Sequence, residues 1–316
     1  MIKTIKPLIN RLLGDKSPGV SGVESIKTQI ISIGIYGGRS PLELAPVCQV
    51  SNPVLTRNSV SDVRAEFVAD PFMLQAQGEW YMFFEVMNAQ DGKGEIGLAT
   101  SQNAVQWRYQ QIVLREPFHL SYPYTFQWND AYYMIPETYQ ANSVRLYRAA
   151  EFPKRWTFVK TLLDGDDFVD PTIFYFKDHW WLFTDLAWPP FYAGILRLFH
   201  ADHLEGPWAE HPKSPVVEGN PHIARPAGRV LVLNERIVRF TQDCCPTYGT
   251  QVRAFEITEL TSTRYEEQEI RHTPILKGSG SGWNESGMHH IDPHPLADGG
   301  WIACVDGFHW QEAGAN

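Results

Sequence analysis

FVADPFMLQAQGEWYMFFE, residues 67–85, is a strand-like run that opens on Asp70-Pro71, reaches a turn and returns as an aromatic-rich run closed by Glu85. The same sentence is written again as HLSYP…DAYYMIPE (Tyr122 to Glu137) and DFVDP…DHWWLFTD (Asp170 to Asp185), each with the closing acid 15 residues after the residue that precedes Pro. Two looser copies follow, HIARP…ERIVRFTQD (Arg225 to Asp243) and HHIDP…GGWIACVD (Asp292 to Asp306). The anchoring prolines stand at 71, 123, 171, 226 and 293, about 48 to 67 residues apart. A third and fourth run follow most anchors, as in EIGLATSQNAVQWRYQQIVL and SVRLYRAAEFPKRWTFVKTLL. Four strands per unit at this period predict an all-β fold, a five-bladed β-propeller with four-stranded antiparallel blades.

The fifth unit lacks its outer half, and IISIGIYGGRSPLELAPV (residues 30–47) resembles the outer runs of the other units. The N-terminal strands are therefore expected to close the ring, with the propeller spanning 28–316. Residues 1–27 stand apart. Ile2, Ile5, Leu8, Ile9, Leu12 and Leu13 fall at helical spacing among Lys3, Lys6 and Arg11, which predicts an amphipathic segment and linker. Such a helix packs on the propeller, docks a partner protein or touches a membrane surface.

Composition agrees with a globular β protein. Of 316 residues, 43% are hydrophobic, 20% charged and 13% aromatic, with 24 Gly and 22 Pro, which excludes disordered, coiled-coil and collagen-like chains. A formal charge of -9 argues against a nucleic-acid partner. Cys48, Cys244, Cys245 and Cys304 form no CxxC pair and are expected to be buried thiols in a reducing compartment. The opening MIKTIKPLINRLLGDK breaks its apolar run with Lys6, Pro7, Asn10 and Arg11, so a cytoplasmic location is expected.

In an up-and-down blade the first strand leaves one face of the ring and the second returns to it. The residue before each Pro and the acid closing the second run should therefore share one mouth. Asp70, Tyr122, Asp170, Arg225 and Asp292 are expected nearest the axis, with Glu85, Glu137, Asp185, Asp243 and Asp306 beside them. A single Asp-Pro is ordinary turn chemistry. Three at one position of the repeat, where Tyr and Arg make the same turn, point to a ligand. Clustered carboxylates push one another's pKa values apart, which is what glycoside hydrolysis needs: one protonated acid and one ionised base. About half of the rings in WYMFF, AYYMI and HWWLF should pack between blades. His119, His222, His289, His290 and His294 lie near the same anchors. His290, Asp292 and His294 alternate onto one strand face, but no tight metal-ligand spacing is present.

The blade count, FVADPFM and DFVDPTIF resemble the glycoside hydrolase family 43 and family 32 group. That resemblance implies Asp70 as general base and Asp170 as the residue orienting the acid; it also implies a fourth-blade Glu as the acid. The matching position is Arg225, which cannot donate a proton near neutral pH. Glu137 is the expected replacement, with Glu85 next. Arg225, Tyr122, Glu85, Asp185, His119, His290 and Asp292 are expected to bind substrate, Arg225 by reading an anionic group. No cofactor is expected beyond a channel metal ion near His290, which the resemblance to family 43 suggests. FFEVMNAQDGKGEIGLATS…FHLSYPYTFQWNDAYYMIPET is more closely similar to the N-terminal propeller domain of plant glucosamine inositolphosphorylceramide transferases and related bacterial proteins. In the plant proteins transfer is assigned to a separate domain. The expected function is thus that of an inverting glycoside hydrolase-like enzyme acting on a glycan or glycoconjugate. The alternative is a non-catalytic sugar-binding module serving a glycosyltransferase partner.

Overall fold

A computed structural model describes residues 27–186 and 194–312. The expected amphipathic segment lies outside the described residues, apart from Lys27.

Five antiparallel sheets form the ring. Blade 1 comprises β3 (Ala65–Ala76), β4 (Glu79–Asn88), β5 (Lys93–Ser101) and β6 (Arg108–Leu114); blade 2 comprises β7 (Ser121–Trp128), β8 (Ala131–Glu137), β9 (Ser143–Glu151) and β10 (Arg155–Asp164). Blade 3 holds β11 (Phe168–Phe176), β12 (His179–Leu186), β13 (Arg197–Ala201) and β14 (Ala209–Glu210). Blade 4 is built from β15 (Leu231–Leu233), β16 (Arg236–Asp243), β17 (Gln251–Leu260) and β18 (Tyr265–Glu269), with β19 (Leu276–Lys277) also on β17. Blade 5 joins β20 (Ile291–Pro295) and β21 (Trp301–Glu312) to β1 (Lys27–Ser40) and β2 (Glu43–Pro46) in the order β2-β1-β21-β20. β1 runs against β21 from Lys27↔Glu312 to Gly38↔Trp301, so the two ends of the chain close the ring as expected.

Period-2 alternation explains how one strand serves two interfaces. From β4, Trp80, Met82 and Phe84 enter the core shared with blade 5, where they meet Ile33, Ile35 and Cys304. Tyr81 and Phe83 enter the core shared with blade 2, against Met134, Tyr147 and Trp156. Equivalent cores lie between blades 2 and 3, 3 and 4, and 4 and 5. The whole WYMFF run is buried, not half of it, because both faces of a blade are covered by its neighbours. Truncating a ring such as Phe83 to Ala costs about 3–5 kcal/mol.

All four cysteines are free, and Cys48 is exposed, against the expectation of burial. Burial pushes the Cys244 thiol up to about 12, so it is no nucleophile at neutral pH.

Candidate active site at one mouth of the propeller

The repeat does more than start a strand. In blade 1 the β3–β4 register passes from Ala69↔Glu85 to Phe72↔Phe83, which leaves one extra residue on β3. Blades 2 and 3 skip identically, from Ser121↔Glu137 to Tyr124↔Ile135 and from Val169↔Asp185 to Thr172↔Phe183. At each bulge the residue before Pro takes the left-handed conformation: Asp70 at φ 51°, Tyr122 at 46° and Asp170 at 48°. Non-glycine residues avoid this region, and a following Pro ordinarily favours extended backbone. Bulges of this kind re-aim a side chain and gather at functional sites.

The bulges are tied down by acids from neighbouring blades. Asp306 Oδ2 accepts the N–H of Asp70 at 3.0 Å, and Glu137 Oε2 accepts the N–H of Asp170 at 3.0 Å. Asp70, Glu85, Glu137, Asp170, Asp185 and Asp306 are each at most 5% exposed, so none is solvated like a surface acid. Two cations answer them. Arg225 Nε donates to Asp170 Oδ2 at 2.6 Å, its Nη2 lies 3.6 Å from Glu137 Oε2, and its guanidinium sits over the Tyr248 ring. Gln242 Nε2 donates to the same Asp170 oxygen at 2.8 Å. His289 faces two carboxylates, with Nδ1 3.0 Å from Asp306 and Nε2 3.4 Å from Asp70.

Burial and these contacts push the carboxyls in opposite directions. Burial pushes Asp70 up, but the hydrogen bond and charge of His289, helped by His290 and Arg225, outweigh it and hold Asp70 below the usual range. Burial, followed by the neighbouring carboxyls Asp70 and Glu137, holds Glu85 well above it. Glu137 is also raised well, by burial and then by the charge of Asp170, against the pull of Arg225. Asp185 is pushed up to about 6, chiefly by burial, although its Oδ1 accepts the N–H groups of Leu186 and Ile195. Burial favours the neutral His289 ring, yet Asp306 and Asp70 raise its pKa to about 10, so it is a cation. One carboxyl held low, Asp70, thus stands beside two pushed well up, Glu85 and Glu137, while burial also raises Asp170 against the pull of Arg225; such a separation is what acid–base chemistry requires.

The expected set is only partly assembled. Asp70, Glu85, Glu137, Asp170, Asp185 and Arg225 converge. His119 joins them, its Nε2 3.6 Å from Glu85. Tyr122 does not offer its hydroxyl to a ligand: the oxygen accepts the N–H of Gly228 at 2.7 Å and contacts Thr172 Oγ1 at 2.8 Å, tying three blades together. Asp292 is also a correction. β20 runs through it in regular register, Asp292↔Cys304, without the bulge that turns the other side chains, and Asp292 pairs with Arg229 Nε at 2.7 Å and His294 Nε2 at 2.8 Å. Blade 5 supplies His289 and Asp306 to the mouth instead. His290 packs its ring edge-on to Phe72 and Tyr122 and gives Nε2 to the Pro71 carbonyl at 2.9 Å. Asp243, expected at the rim, is held by His222 and Arg253. Sequence reasoning underrated His289 and missed Gln242; the doubled His before IDP and the polar residue before Asp243 were their only signals.

Among the described residues, two trios bring ligand atoms within 4.8 Å of one another: Asp70, His289 and Asp306, and His222, Asp243 and Cys245. His290 is in neither. In the first trio His289 is the counter-ion of both carboxylates, with Nδ1 3.0 Å from Asp306 and Nε2 3.4 Å from Asp70; in the second, Arg253 already lies 2.8 Å from Asp243.

A ring of five blades with buried carboxyls at one mouth defines the class of five-bladed acidic propellers. The fold is similar to the catalytic domain of a Coprinopsis cinerea GH62 alpha-L-arabinofuranosidase, with TM-score 0.60, 11% identity, and coverage of 82% of this chain and 83% of that one. It is also similar to a thermostable family-43 glycoside hydrolase, with TM-score 0.57, 14% identity, and coverage of 85% and 97%. At these identities the likeness is one of fold. The chain belongs to the family described as glucosamine inositolphosphorylceramide transferase 1, N-terminal, whose model matches residues 27–308. Relatives named glucosamine inositolphosphorylceramide transferase 1 are 34% identical over 295 residues in Oryza sativa subsp. japonica and 33% over 296 in Arabidopsis thaliana. Each alignment covers 87% of this chain, which spans only 40% and 38% of those relatives.

Proposed function

We propose that the mouth binds a glycan or glycoconjugate and cleaves it by inverting hydrolysis, with Asp70 as the base that activates water and Asp170 as the residue that orients the opposite side. The observation that carries this is the burial at one mouth of Asp70, paired with His289 and held low, beside Glu85 and Glu137, which are both pushed well up. The glycosidase fold of the neighbours and the glycolipid transferase names of the relatives support a sugar ligand. The ligand proposed is neutral at this mouth, because Arg225 is already the counter-ion of Asp170 and six carboxyl groups face it and His289. The test is a panel of aryl glycosides and oligosaccharides, with the anomer of the first-formed product followed by NMR. Turnover with inversion that falls at least about 100-fold in a folded Asp70→Asn variant is expected; full turnover in that variant removes Asp70 from the role.

The second reading is a sugar-holding module that serves a glycosyltransferase. It is favoured by the Arg225–Asp170 pair at the position where an acid was expected, and by the partial coverage of the transferase relatives. Saturable binding of a glycan by the wild-type protein, with no cleavage of any member of the panel, would decide for it.

A further inference from the structure

Glu85 and Glu137 are both buried at the mouth and both pushed well above the usual carboxylate range, and their surroundings separate them. Glu137 is occupied: its Oε2 fixes the Asp170 bulge and faces the permanent charge of Arg225. Glu85 is buried to the same degree, yet its Oε1 has no hydrogen-bond partner in the structure. A buried unsatisfied oxygen costs about 1–3 kcal/mol and is kept where a ligand group completes it.

The neighbour of Glu85 is fixed in one tautomer. His119 Nδ1 accepts the backbone N–H of Gly94 at 2.9 Å, so the ring proton of the neutral imidazole sits on Nε2, the nitrogen 3.6 Å from Glu85 Oε1. Burial pushes His119 down to about 4, which keeps the ring neutral at pH 7. Only glycine at position 94 permits this approach. A Cβ there would lie 2.1 Å from the Leu120 carbonyl, 2.8 Å from Glu85 Oε1 and 2.9 Å from His119 Cε1. Glu85 also feels Asp70, Glu137, His289 and Asp306, three acids against one cation.

We propose that Glu85 is the proton donor of the mouth and that His119, locked by Gly94, is its positioning residue. The assignment rests on the hydrolytic reading above. In the step it implies, Glu85 gives its proton to the glycosidic oxygen as the anomeric C–O bond breaks. A water oxygen bonds to the anomeric carbon from the opposite face, and its proton passes to Asp70. Solvent exchange then returns the proton from Asp70 to Glu85, and the net reaction adds one water.

A donor is needed least when the leaving group departs easily, so the test varies the leaving group. With Glu85→Gln, turnover of plain phenyl glycosides is expected to fall about 100-fold or more, while that of 4-nitrophenyl glycosides stays within about tenfold of wild type. Asp70→Asn loses both. His119→Asn, which removes the Nε2–H dipole aimed at Glu85 Oε1 from 3.6 Å, is expected to move the alkaline limb of the pH profile upward and leave the acidic limb in place. Leaving-group-dependent loss in Glu137→Gln but not in Glu85→Gln overturns the assignment and spares the hydrolytic reading. Failure of the wild-type protein to cleave any glycoside overturns both. A second measurement needs no substrate: the infrared difference spectrum between wild type and Glu85→Gln at pH 7 is expected to show the loss of a protonated-carboxyl band. A Glu85 found ionised at neutral pH overturns the assignment on its own.

Discussion

Replacing His289 with Gln removes the cation shared by Asp70 and Asp306 while keeping a side chain of similar reach. In the folded protein His289 holds its proton to about pH 10, whereas in the unfolded chain it loses it near 6.5. The folded pKa is raised, so the stability it contributes is complete below pH 6.5 and is lost as pH rises toward 10. Linkage sets the slope at about 1.4 kcal/mol per pH unit, and the full interval amounts to roughly 5 kcal/mol as an upper bound. Removing one partner of a buried ion pair costs about 3–5 kcal/mol, which agrees. Urea unfolding of wild type and His289→Gln between pH 6.5 and 9.5 should therefore show a gap that is widest at the acid end and narrows steadily toward the alkaline end. Parallel curves would mean that the ring is neutral in the folded state, and the account of how Asp70 stays ionised would fail with it.

Arg225→Met strands Asp170 without its counter-ion. The variant should be about 3–5 kcal/mol less stable in denaturant at pH 7, with the deficit shrinking as pH falls and Asp170 takes up a proton. Gly94→Ala forces a Cβ against the Leu120 carbonyl; a loss of about 1–3 kcal/mol is expected, together with a shift of the His119 ring signals in 15N NMR. Tyr122→Phe leaves the buried Gly228 N–H without its acceptor and should cost about 1–3 kcal/mol in thermal or urea unfolding, with turnover of any accepted glycoside within about twofold of wild type.

Blade count, strand number and ring closure were legible in the chain because each rests on local signals that repeat: a proline anchor, a turn, an alternating aromatic run and an acid at a fixed distance. The convergence of Asp70, Glu85, Glu137, Asp170, Asp185 and Arg225 followed from the same period, since an up-and-down blade returns its second strand to the rim it left. What the period could not convey was which copies carry the bulge. Asp70, Tyr122 and Asp170 sit at a register skip in the left-handed region, but Asp292 runs through its strand without one and turns to Arg229. The fate of each polar atom was equally hidden, because partners such as Tyr122 and Gly228, or His119 and Gly94, are distant in sequence and meet only when blades pack. Sequence alone determined a ring of blades with acids at one mouth. Tertiary structure decided which of those acids is held low and which is pushed up, because burial and the placement of His289 and Arg225 depend on neighbours that no local pattern specifies.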